Sequence, residues 1–368
     1  MDFLQVTKVD QTVETVSVII PIYNGLGVGL VECLNSVIEQ NYTNIEIIVI
    51  DDCSTDGSLD VIDKMLNNSS RKMLIKNEKN LGLSKNWNIG LDKASGKYVL
   101  LLHQDCRLVD NKQISNAIEY IENNNLDGVI GSQIYSLSKM NKYQKFMEMR
   151  LGHLLTTSNS ELGSNFTENK CDLFKKDVFK KIGGFEEKLK NAGEDIVFSN
   201  KLLNNNISIT FNYPFHYEDT LLDKNSFINI LKREVTYAKV VPGILRSQHP
   251  FGFLKRRRFN NSRFLRVFNR VLTIFIPSLS FLLILLFFIN VSRGFDIIIL
   301  TVTVLTRAIF VSYTEFISRR SSSDYKSDFI FVWSLSFLSD IVYSISFYLG
   351  LINSIKKDSN KDFHMRKQ

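Results

Sequence analysis

Cysteine and histidine are scarce in this sequence, and their spacing excludes the usual kind of structural metal site. The 368 residues include four cysteines and five histidines. No two cysteines form a CxxC pair, so a structural zinc site is not expected. All four cysteines precede the apolar C-terminal part, and we expect them to stay reduced as in a cytoplasmic domain; they are Cys33, Cys53, Cys106 and Cys171.

The sequence also lacks an apolar segment near its start and shows no internal repeat. Residues 1–15, MDFLQVTKVDQTVET, are too polar for a secretory signal peptide. We therefore expect the N-terminal part of the chain to lie in the cytoplasm.

Acidic residues are almost absent from one segment, which carries the positive charge of the chain. The net charge is +7 at pH 7, and Lys224–Arg270 contains twelve Lys and Arg against one acid, Glu234. A basic segment directly before apolar runs is typical of contact with an anionic membrane surface. Nucleic acid is an alternative partner for such charge, but the apolar runs favour the membrane, and we expect no nucleic-acid partner.

Three long apolar runs follow the basic segment. Val271–Val291 has 21 residues without a charge, which is the length of a membrane-spanning helix. Phe295–Tyr313 contains Asp296 near one end and Arg307 further in, and Phe329–Leu351 contains Asp340 near its middle. We predict that both runs also span the membrane, with their charged groups facing protein or snorkelling to the membrane surface. A buried core helix is the alternative for each of these two.

The distribution of charge and apolar residues predicts a multi-pass protein of the cell membrane. The basic cluster Lys255–Arg258 precedes the first apolar run, and the positive-inside rule then places the N-terminal domain in the cytoplasm. An amphipathic basic segment could lie on the membrane surface or pack as an ordinary helix. The predicted parts are an α/β domain at 1–225, interfacial helices at 226–268, two to three transmembrane helices at 269–353 and a polar basic tail at 354–368.

Strand-like and helix-like segments alternate through the N-terminal part. Apolar runs rich in β-branched residues predict strands at 16–22, 45–50, 72–76, 96–105, 128–136 and 207–213. Helical spacing of apolar residues predicts helices at 28–39, 58–67, 80–94, 142–155, within 171–185 and at 194–205. This alternation predicts a mostly parallel sheet flanked by helices, the α/β class.

Polar residues follow three of the predicted strands, where ligands bind in open parallel sheets. They are Pro21–Asn24, Asp51–Gly57 and His103–Asp105. A carboxylate at a strand end can accept hydrogen bonds from a nucleobase N–H or a ribose hydroxyl. A carboxylate beside a diphosphate needs a divalent cation between them. The alternatives are a helix start for the Asp-Ser-Gly turn and a polar strand end for His103–Asp105.

Two further positions carry candidate chemistry. Glu194 and Asp195 open a predicted helix, and such a carboxylate can remove the proton of an acceptor hydroxyl. The alternative is simple complementation of the helix dipole. His216 follows the last predicted strand and is a candidate metal ligand, although a lone histidine is more often structural.

Four segments, in this order and spacing, resemble family 2 glycosyltransferases with the GT-A fold, a Rossmann-like α/β fold. They are VSVIIPIYNG, VIDDCSTDGS, NLGLSKNWNIGLDKASGKYVLLLHQD and LFKKDVFKKIGGFEEKLKNAGED, within residues 16–220. The resemblance implies a metal-dependent, inverting transfer of a sugar from a nucleotide-diphosphate donor. UDP- and dTDP-sugars are the leading donors and GDP-sugars an alternative. The membrane anchor favours a hydroxyl of a lipid-linked glycan as acceptor, in the biosynthesis of cell-surface polysaccharide or glycoprotein glycans.

The resemblance also implies a role for individual residues. Asp195 would be the catalytic base and Glu194 would shape the acceptor site. Asp105 would hold Mn²⁺ or Mg²⁺, with His103 and His216 as further metal ligands. The implied nucleotide-sugar-binding residues, with Asp52 as the main contact to the base, are Pro21, Tyr23, Asn24, Asp51, Asp52, Ser54, Lys85, Asn88 and Gln104.

Two positions depart from the family pattern. His103 stands where the first acid of the D-x-D motif is expected, which weakens metal binding or favours Mn²⁺, because imidazole suits a transition ion better than Mg²⁺. Trp87 stands where the family often has an arginine. A cationic contact to phosphate is therefore missing, or Lys85 supplies it.

The sequence is also compatible with two other functions. A polyprenyl (dolichyl)-phosphate sugar synthase would use an acceptor that is already an anion and needs no base. A membrane-bound nucleotide-sugar sensor or scaffold would bind the nucleotide without turnover, and the His103 substitution motivates this non-enzymatic alternative. A processive polysaccharide synthase is less favoured because the sequence contains no Q-x-x-R-W motif.

Overall fold

A computed structural model of the chain divides into two compact units. The first comprises Met1–Gln133, Glu168–Lys188 and Lys201–Thr220, and the second comprises Ile134–Thr167, Leu189–Asn200 and Leu221–Gln368. The residues that the structure describes are 13–67, 71–134, 140–151, 167, 169–188, 193–210, 215–220, 226–247, 272–277, 279–280, 301–302, 304–305, 307–309, 311–312 and 329–365.

The described residues contain ten strands and nine labelled helices. The strands are β1 (Val16–Ile22), β2 (Ile45–Asp51), β3 (Lys72–Lys76), β4 (Tyr98–Leu102), β5 (Cys106–Leu108), β6 (Gly128–Ile130), β7 (Ser132–Gln133), β8 (Cys171–Lys175), β9 (Ile209–Thr210) and β10 (His216–Asp219). The helices are α1 (Leu30–Ile38), α2 (Ser58–Leu66), α3 (Leu83–Lys93), α4 (Gln113–Asn123), α5 (Lys142–Leu151), α6 (Asp177–Ile182), α7 (Glu194–Asn204), α8 (Phe227–Ser247) and α9 (Phe329–Met365).

The first unit is built on a seven-stranded sheet in the order β3-β2-β1-β4-β8-β6-β9. Strands β1 to β4 run parallel, which confirms the predicted α/β class. All seven residues of β1 are buried, as expected for a central strand covered by helices on both faces. Helix α3 packs closely on this strand, because a Cβ at Gly90 would lie 2.3 Å from Ile19 Cγ2.

Strand β8 was not predicted from the sequence. Residues 171–185 were expected to contain a helix; a helix does form at Asp177–Ile182, but Cys171–Lys175 is a strand antiparallel to both β4 and β6. The segment CDLFKKDVFKKI has apolar residues close to helical spacing, so its periodicity hides the strand. Its place in the sheet depends on partners that are distant in sequence.

A second sheet of three strands, in the order β5-β10-β7, lies in the same unit. The predicted strand at 96–105 ends at Leu102, and β5 follows it. The predicted strand at 128–136 is interrupted at Gly131, where a Cβ would lie 2.1 Å from the carbonyl oxygen of Cys171. His216 was expected in a turn, but it begins β10, which pairs with both of its neighbours in this sheet.

The second unit is helical in its described part. Helix α8 packs along α9, and a Cβ at Gly350 of α9 would lie 2.4 Å from the carbonyl oxygen of Lys239 in α8. A core joins α5, α8, α9 and the helical residue Val311; it consists of Met140, Phe146, Met147, Ile230, Val311, Val332 and Leu335. The predicted helix at 142–155 is present as α5, and residues 152–155 lie outside the described part.

One helix in the described part is long and apolar enough to cross a membrane, namely the 24 residues Ile330–Asn353 of α9. It coincides with the third predicted span. The first two, Val271–Val291 and Phe295–Tyr313, fall largely outside the described residues. The number of spans and the boundaries of the four predicted parts therefore stay predictions.

Candidate active site

The candidate site is the sheet edge formed by the carboxyl ends of β1, β2 and β4. Tyr23, Asp52 and His103 follow these three strands directly. Because β8 runs in the opposite direction, the residue before it, Lys170, comes to the same edge. The His103 N–H donates to the Lys170 carbonyl oxygen at 2.9 Å.

Two predicted donor-binding residues join the loops after β1 and β2. The Asn24 N–H donates to Ser54 Oγ at 2.9 Å, and Asn24 Oδ1 accepts from the Thr55 N–H at 2.9 Å. Asn24 has a positive φ of 48°, which asparagine tolerates better than most residues. Asp51 is buried and its carboxylate accepts from the Ser54 N–H at 3.2 Å. These bonds give the two loops a fixed relative position.

Asp52 is buried, at 3% exposure, and its carboxylate is used within the protein. It accepts hydrogen bonds from Asn77 Nδ2 at 3.0 Å, Leu81 N at 2.7 Å and Gly82 N at 2.9 Å. The sequence predicts that Asp52 contacts the nucleobase. In the structure its carboxylate organises the segment that leads into α3, and Asn77, which the sequence reasoning missed, is one of its partners.

The side-chain amide of Gln104 accepts one hydrogen bond from the main chain of Tyr23 and donates another to it. Gln104 Oε1 accepts from the Tyr23 N–H at 2.9 Å, and Gln104 Nε2 donates to the Tyr23 carbonyl oxygen at 3.1 Å. This pair fixes the loop after β1 to the loop after β4. The Tyr23 side chain is 50% exposed, so its ring is accessible for stacking, whereas Pro21 is buried within β1.

Asn88 has both ends of its amide engaged inside the protein. Its Nδ2 donates to the Phe185 carbonyl oxygen at 3.0 Å and to Glu187 Oε1 at 3.1 Å, and its Oδ1 accepts from the Phe185 N–H at 2.8 Å. The amide therefore ties α3 to the segment after α6. Lys85, on the first turn of α3, is partly exposed and makes no hydrogen bond or ion pair with any residue that the structure describes.

Trp87 is fully buried between two other rings. Its ring centroid lies 5.7 Å from that of His103 and 5.9 Å from that of Phe185, with the Phe185 ring stacked at 24°. Within the described part of the chain its Nε1 has no hydrogen-bond partner. Trp87, which stands where the family often has an arginine, thus packs its ring against the His103 imidazole.

His103 and Asp105, the two candidate metal ligands that follow β4, lie close together at this edge. His103 Nδ1 lies 3.8 Å from Asp105 Oδ1, and about a fifth of each side chain is exposed, 21% and 19%. The Asp105 carbonyl oxygen accepts from Thr220 N at 2.8 Å and from Thr220 Oγ1 at 3.0 Å. Thr220 Oγ1 also lies 2.7 Å from the Val28 carbonyl oxygen. One threonine therefore joins the Asp105 turn to the loop before α1.

The structure does not bring His216 to this corner. Thr220 is the residue that pairs with Asp105, and His216 precedes it by four positions along β10. At about 3.4 Å per residue the main-chain positions of His216 and Thr220 are about 14 Å apart. Across the described residues, no group of three His, Cys, Asp or Glu side chains is arranged to hold a metal ion.

The remaining pair, His103 and Asp105, offers one imidazole nitrogen and one carboxylate oxygen. These donors fit Mn²⁺, which accepts both kinds of ligand. They fit Mg²⁺ less well, since it prefers oxygen ligands. Two protein ligands are enough for an ion that shares its other positions with substrate phosphates and water.

Lys170 and Asp219 were missed by the sequence reasoning. Lys170 Nζ lies 3.0 Å from Asp219 Oδ2, with side-chain exposures of 20% and 10%. Asp219 pairs with Cys106 in the small sheet. Burial raises the pKa of the Cys106 thiol and the charge of Asp105 raises it further, whereas Lys170 lowers it. Lys170 is therefore near enough to act electrostatically on the residue next to Asp105.

Glu194 and Asp195 open α7 as predicted. They follow Gly193, whose φ is +89°, and both side chains are partly exposed. Asp195 Oδ1 accepts from the Ile196 N–H at 2.8 Å. An acid in the first turn of a helix interacts favourably with the helix dipole. The pair belongs to the second unit.

Residues 17–183 match the model of Glycosyl transferase family 2. Glycosyltransferase GlyG of Streptococcus pneumoniae is 34% identical over 119 residues, which is 32% of this chain and 39% of that protein. The UDP-Glc:alpha-D-GlcNAc-diphosphoundecaprenol beta-1,3-glucosyltransferase WfaP of Escherichia coli is 39% identical over 109 residues, which is 30% of this chain and 42% of that protein. The matched region thus spans about two-fifths of the length of these curated relatives.

A solved structure of similar fold is the mannosyltransferase PcManGT from Pyrobaculum calidifontis, in complex with GDP-Man and Mn²⁺. It aligns over 92% of this chain and 87% of its own length with a TM-score of 0.52 and 13% identity. At this identity the likeness concerns the fold alone. The four sequence motifs, the strand order and the matched region coincide, and the chain therefore carries, over residues 17–183, a family 2 glycosyltransferase domain with the GT-A fold.

Proposed function

We propose that the chain transfers a sugar from a nucleoside-diphosphate donor to a hydroxyl of a lipid-linked glycan, with inversion at the anomeric carbon. UDP- and dTDP-sugars are the leading donors, and the product belongs to cell-surface polysaccharide or glycoprotein glycan. The observation that carries the proposal is the corner at the end of β4, where His103 and Asp105 lie beside two loops locked by hydrogen bonds. WfaP, whose name specifies UDP-Glc and a diphosphoundecaprenol-linked acceptor, supports the same substrate classes.

In this proposal the donor-binding residues divide into those that touch the nucleotide and those that hold the loops. The half-exposed ring of Tyr23 stacks on the base, and the partly exposed Lys85 reaches the phosphates as a point charge. Ser54 offers its hydroxyl hydrogen, since its oxygen already accepts from Asn24. The positioning residues, whose polar groups are engaged within the protein or which are buried, are Pro21, Asn24, Asp51, Asp52, Asn88 and Gln104.

We propose that His103 and Asp105 hold a divalent ion, Mn²⁺ in preference to Mg²⁺, together with the donor diphosphate. When bound, such an ion neutralises charge that develops on the departing nucleoside diphosphate. His216 is left out of this set because of its distance along β10. The donor set of one nitrogen and one oxygen is the support for choosing Mn²⁺.

Asp195 is proposed as the base on the strength of the Glu194–Asp195 motif at the start of α7. Its carboxylate takes the proton of the acceptor hydroxyl as that oxygen forms a bond to the anomeric carbon. The bond from the anomeric carbon to the diphosphate oxygen breaks, and its electron pair stays on the diphosphate. Glu194 is proposed to orient the acceptor.

We propose that the second unit associates with the cell membrane and that the catalytic domain lies in the cytoplasm. Within the described residues of 272–353 no charged side chain is exposed, and the exposed large side chains are apolar, among them Phe275, Leu305, Ile330, Phe337 and Ile345. The two charged residues among those described here, Arg307 and Asp340, have side chains that are 5% and 1% exposed and bind each other. Apolar residues outside and paired charges inside are what a lipid environment requires. A multi-pass arrangement remains the proposed topology.

The test is donor turnover by the purified full chain in detergent. A panel of UDP-, dTDP- and GDP-sugars is incubated with Mn²⁺ or Mg²⁺ and lipid extract, beside Asp105→Ala and Asp195→Asn. We expect release of one nucleoside diphosphate, strongest with Mn²⁺ and reduced roughly 100-fold or more in both variants. Retained transfer in Asp195→Asn would indicate a polyprenyl-phosphate acceptor instead. Binding of a nucleotide without turnover of any donor would indicate a sensor or scaffold.

A further inference from the structure

We propose that Lys170 contacts the diphosphate of the donor and stabilises the departing nucleoside diphosphate, and that Asp219 positions the Lys170 ammonium for this contact. The inference rests on the proposed function and adds a residue that no sequence motif identifies. Lys170 gives the site a positively charged side chain at the end of β4. In α3, Trp87 stands where the family pattern predicts an arginine.

The pairing of β8 with β4 determines the position of Lys170. The register pairs Leu102 with Cys171, and the hydrogen bond from His103 N to Lys170 O at 2.9 Å extends the ladder by one residue pair. Residues directly opposite each other in antiparallel strands project their side chains from the same face. Lys170 and His103 therefore leave the sheet edge on the same side, as neighbours.

Asp219 restricts the position of the ammonium group. Its Oδ2 lies 3.0 Å from Lys170 Nζ, and the carboxylate side chain is only 10% exposed. Asp219 is in turn fixed by the small sheet, since it pairs with Cys106 and is followed by Thr220, which binds the Asp105 carbonyl oxygen. Asp219, which binds the Lys170 ammonium, is therefore connected through Thr220 to the turn that carries Asp105.

The charges at this corner favour an anionic ligand more than a D-x-D pattern would. His103 provides an imidazole in place of the carboxylate that the D-x-D pattern predicts, and Asp219 is paired with Lys170. Asp219, which binds the Lys170 ammonium, pairs with Cys106 in the small sheet, and Cys106 Sγ lies 3.6 Å from Asp105 Oδ1. The cation therefore lies close to the residue that is proposed to bind the metal and diphosphate.

The proposed role of Lys170 involves no proton transfer. The bond between the anomeric carbon and the diphosphate oxygen breaks, and the electron pair remains on the diphosphate. The Lys170 ammonium donates a charge-assisted hydrogen bond to that oxygen or its neighbours. Because the charge grows as the bond breaks, this contact is stronger in the transition state than in the bound donor.

The test compares Lys170→Met with Lys170→Arg and with the matched control Lys175→Met. Lys175 lies at the other end of the same strand, where it contacts Glu122 at 3.4 Å. Binding of UDP and of uridine to the full chain in detergent is measured by calorimetry, with and without Mn²⁺, with dTDP and GDP in parallel. Thermal unfolding is recorded for every variant, and donor turnover is measured where the wild type shows it.

We expect Lys170→Met to weaken UDP binding roughly 10- to 100-fold while uridine binding stays within about threefold. The loss should persist without Mn²⁺, Lys170→Arg should restore most of the affinity, and Lys175→Met should bind like the wild type. Wild-type UDP affinity in Lys170→Met, with only a lower melting temperature, would overturn the inference and leave a structural ion pair. If Lys170→Met does not fold, Lys170→Gln provides the same comparison.

Failure of the proposed function would look different. A wild-type chain that binds none of UDP, dTDP and GDP contradicts the nucleotide-sugar site itself. A wild type that binds UDP, together with an unaffected Lys170→Met, contradicts only the role of Lys170. A metal-binding role for Lys170 is excluded by its chemistry, because an ammonium has no lone pair to offer.

Discussion

At the scale of single residues, buried polar groups at the carboxyl ends of the strands are used mainly to hold the loops in place. Asp52 is the clearest case, since three N–H donors converge on its carboxylate. The sequence identifies it as functional and is right about its location. Its bonding shows that the carboxylate holds the segment before α3, and its contact with the nucleobase stays a prediction.

Asp52→Asn should therefore destabilise the fold as well as weaken nucleotide binding. The amide would direct its NH₂ group towards one of the N–H donors, which leaves a buried donor unsatisfied at a cost of about 1–3 kcal/mol. Urea unfolding monitored by circular dichroism measures this change. Asp60→Asn on the exposed side of α2 is the control, and equal stability of the two variants would contradict the assigned role.

The four thiols should differ sharply in reactivity. Cys33, Cys106 and Cys171 are fully buried, and burial raises the pKa of each thiol. Cys53 is partly exposed and lies between Asp52 and Ser54 in the loop after β2, with φ at +68°. Since the thiolate is the reactive form, iodoacetamide should modify Cys53 first in the native protein.

Mass spectrometry of the alkylated chain tests this expectation, and it also reports on the site. UDP should slow the modification of Cys53, whereas uridine monophosphate at equal concentration should do so less. Rapid modification of Cys106 in the folded protein would contradict the burial described for the Asp105 turn.

At the scale of elements, the site depends on how loops are fixed to one another across the sheet edge. Gly29 shows this most directly: its φ is +106°, and a Cβ there would lie 1.8 Å from Thr220 Oγ1. Thr220 binds both Val28 and Asp105 through their carbonyl oxygens. Thr220 therefore links the loop before α1 to the Asp105 turn.

Gly29→Ala should destabilise the domain by about 1–3 kcal/mol, because the new Cβ adds backbone strain at positive φ and displaces Thr220. Mn²⁺-dependent UDP binding should weaken with it. Gly27→Ala is a matched control in the same loop, since no atom lies within 4 Å of its added Cβ. Thermal unfolding and calorimetry compare Gly29→Ala with Gly27→Ala. Equal melting temperatures and UDP affinities of these variants would contradict the structural role of Thr220.

At the scale of the whole molecule, the described residues of 272–353 place their charges differently from the first unit. The first unit buries an apolar core and exposes its polar loops, as a protein in water does. Among the described residues of 272–353 the charged side chains are buried: Arg307 Nε is 2.5 Å and Nη2 is 2.9 Å from the two carboxylate oxygens of Asp340. This bidentate pair joins α9 to the helical segment at 307–309.

Removing one partner of this pair should be costly, because a buried charge then lacks its counter-ion. Asp340→Asn or Arg307→Leu should each lower stability by about 3–5 kcal/mol. The double variant Arg307→Leu/Asp340→Leu should recover much of that loss. Thermal unfolding in detergent measures the effect, and additive losses in the double variant would mean that the two residues do not act as a pair.

The sequence by itself determined the strands β1, β2 and β4, their order along the chain and the polar residues that follow them. Each of these strands is a continuous apolar run bounded by turn residues, so local pattern is sufficient to define it. The motifs after these strands then identified the family. The same local signals placed Asp51, Asp52, His103 and Asp105 at the edge of the sheet.

The tertiary structure alone decided which distant segments complete that edge. β8 pairs with β4 across about 70 residues, and β10 pairs with β5 across more than 100. Neither pairing is visible in the periodicity of its own segment, because the strands are short and their partners are chosen by packing. Because of these pairings, His216 lies away from Asp105, whereas Lys170, Asp219 and Thr220 lie near it.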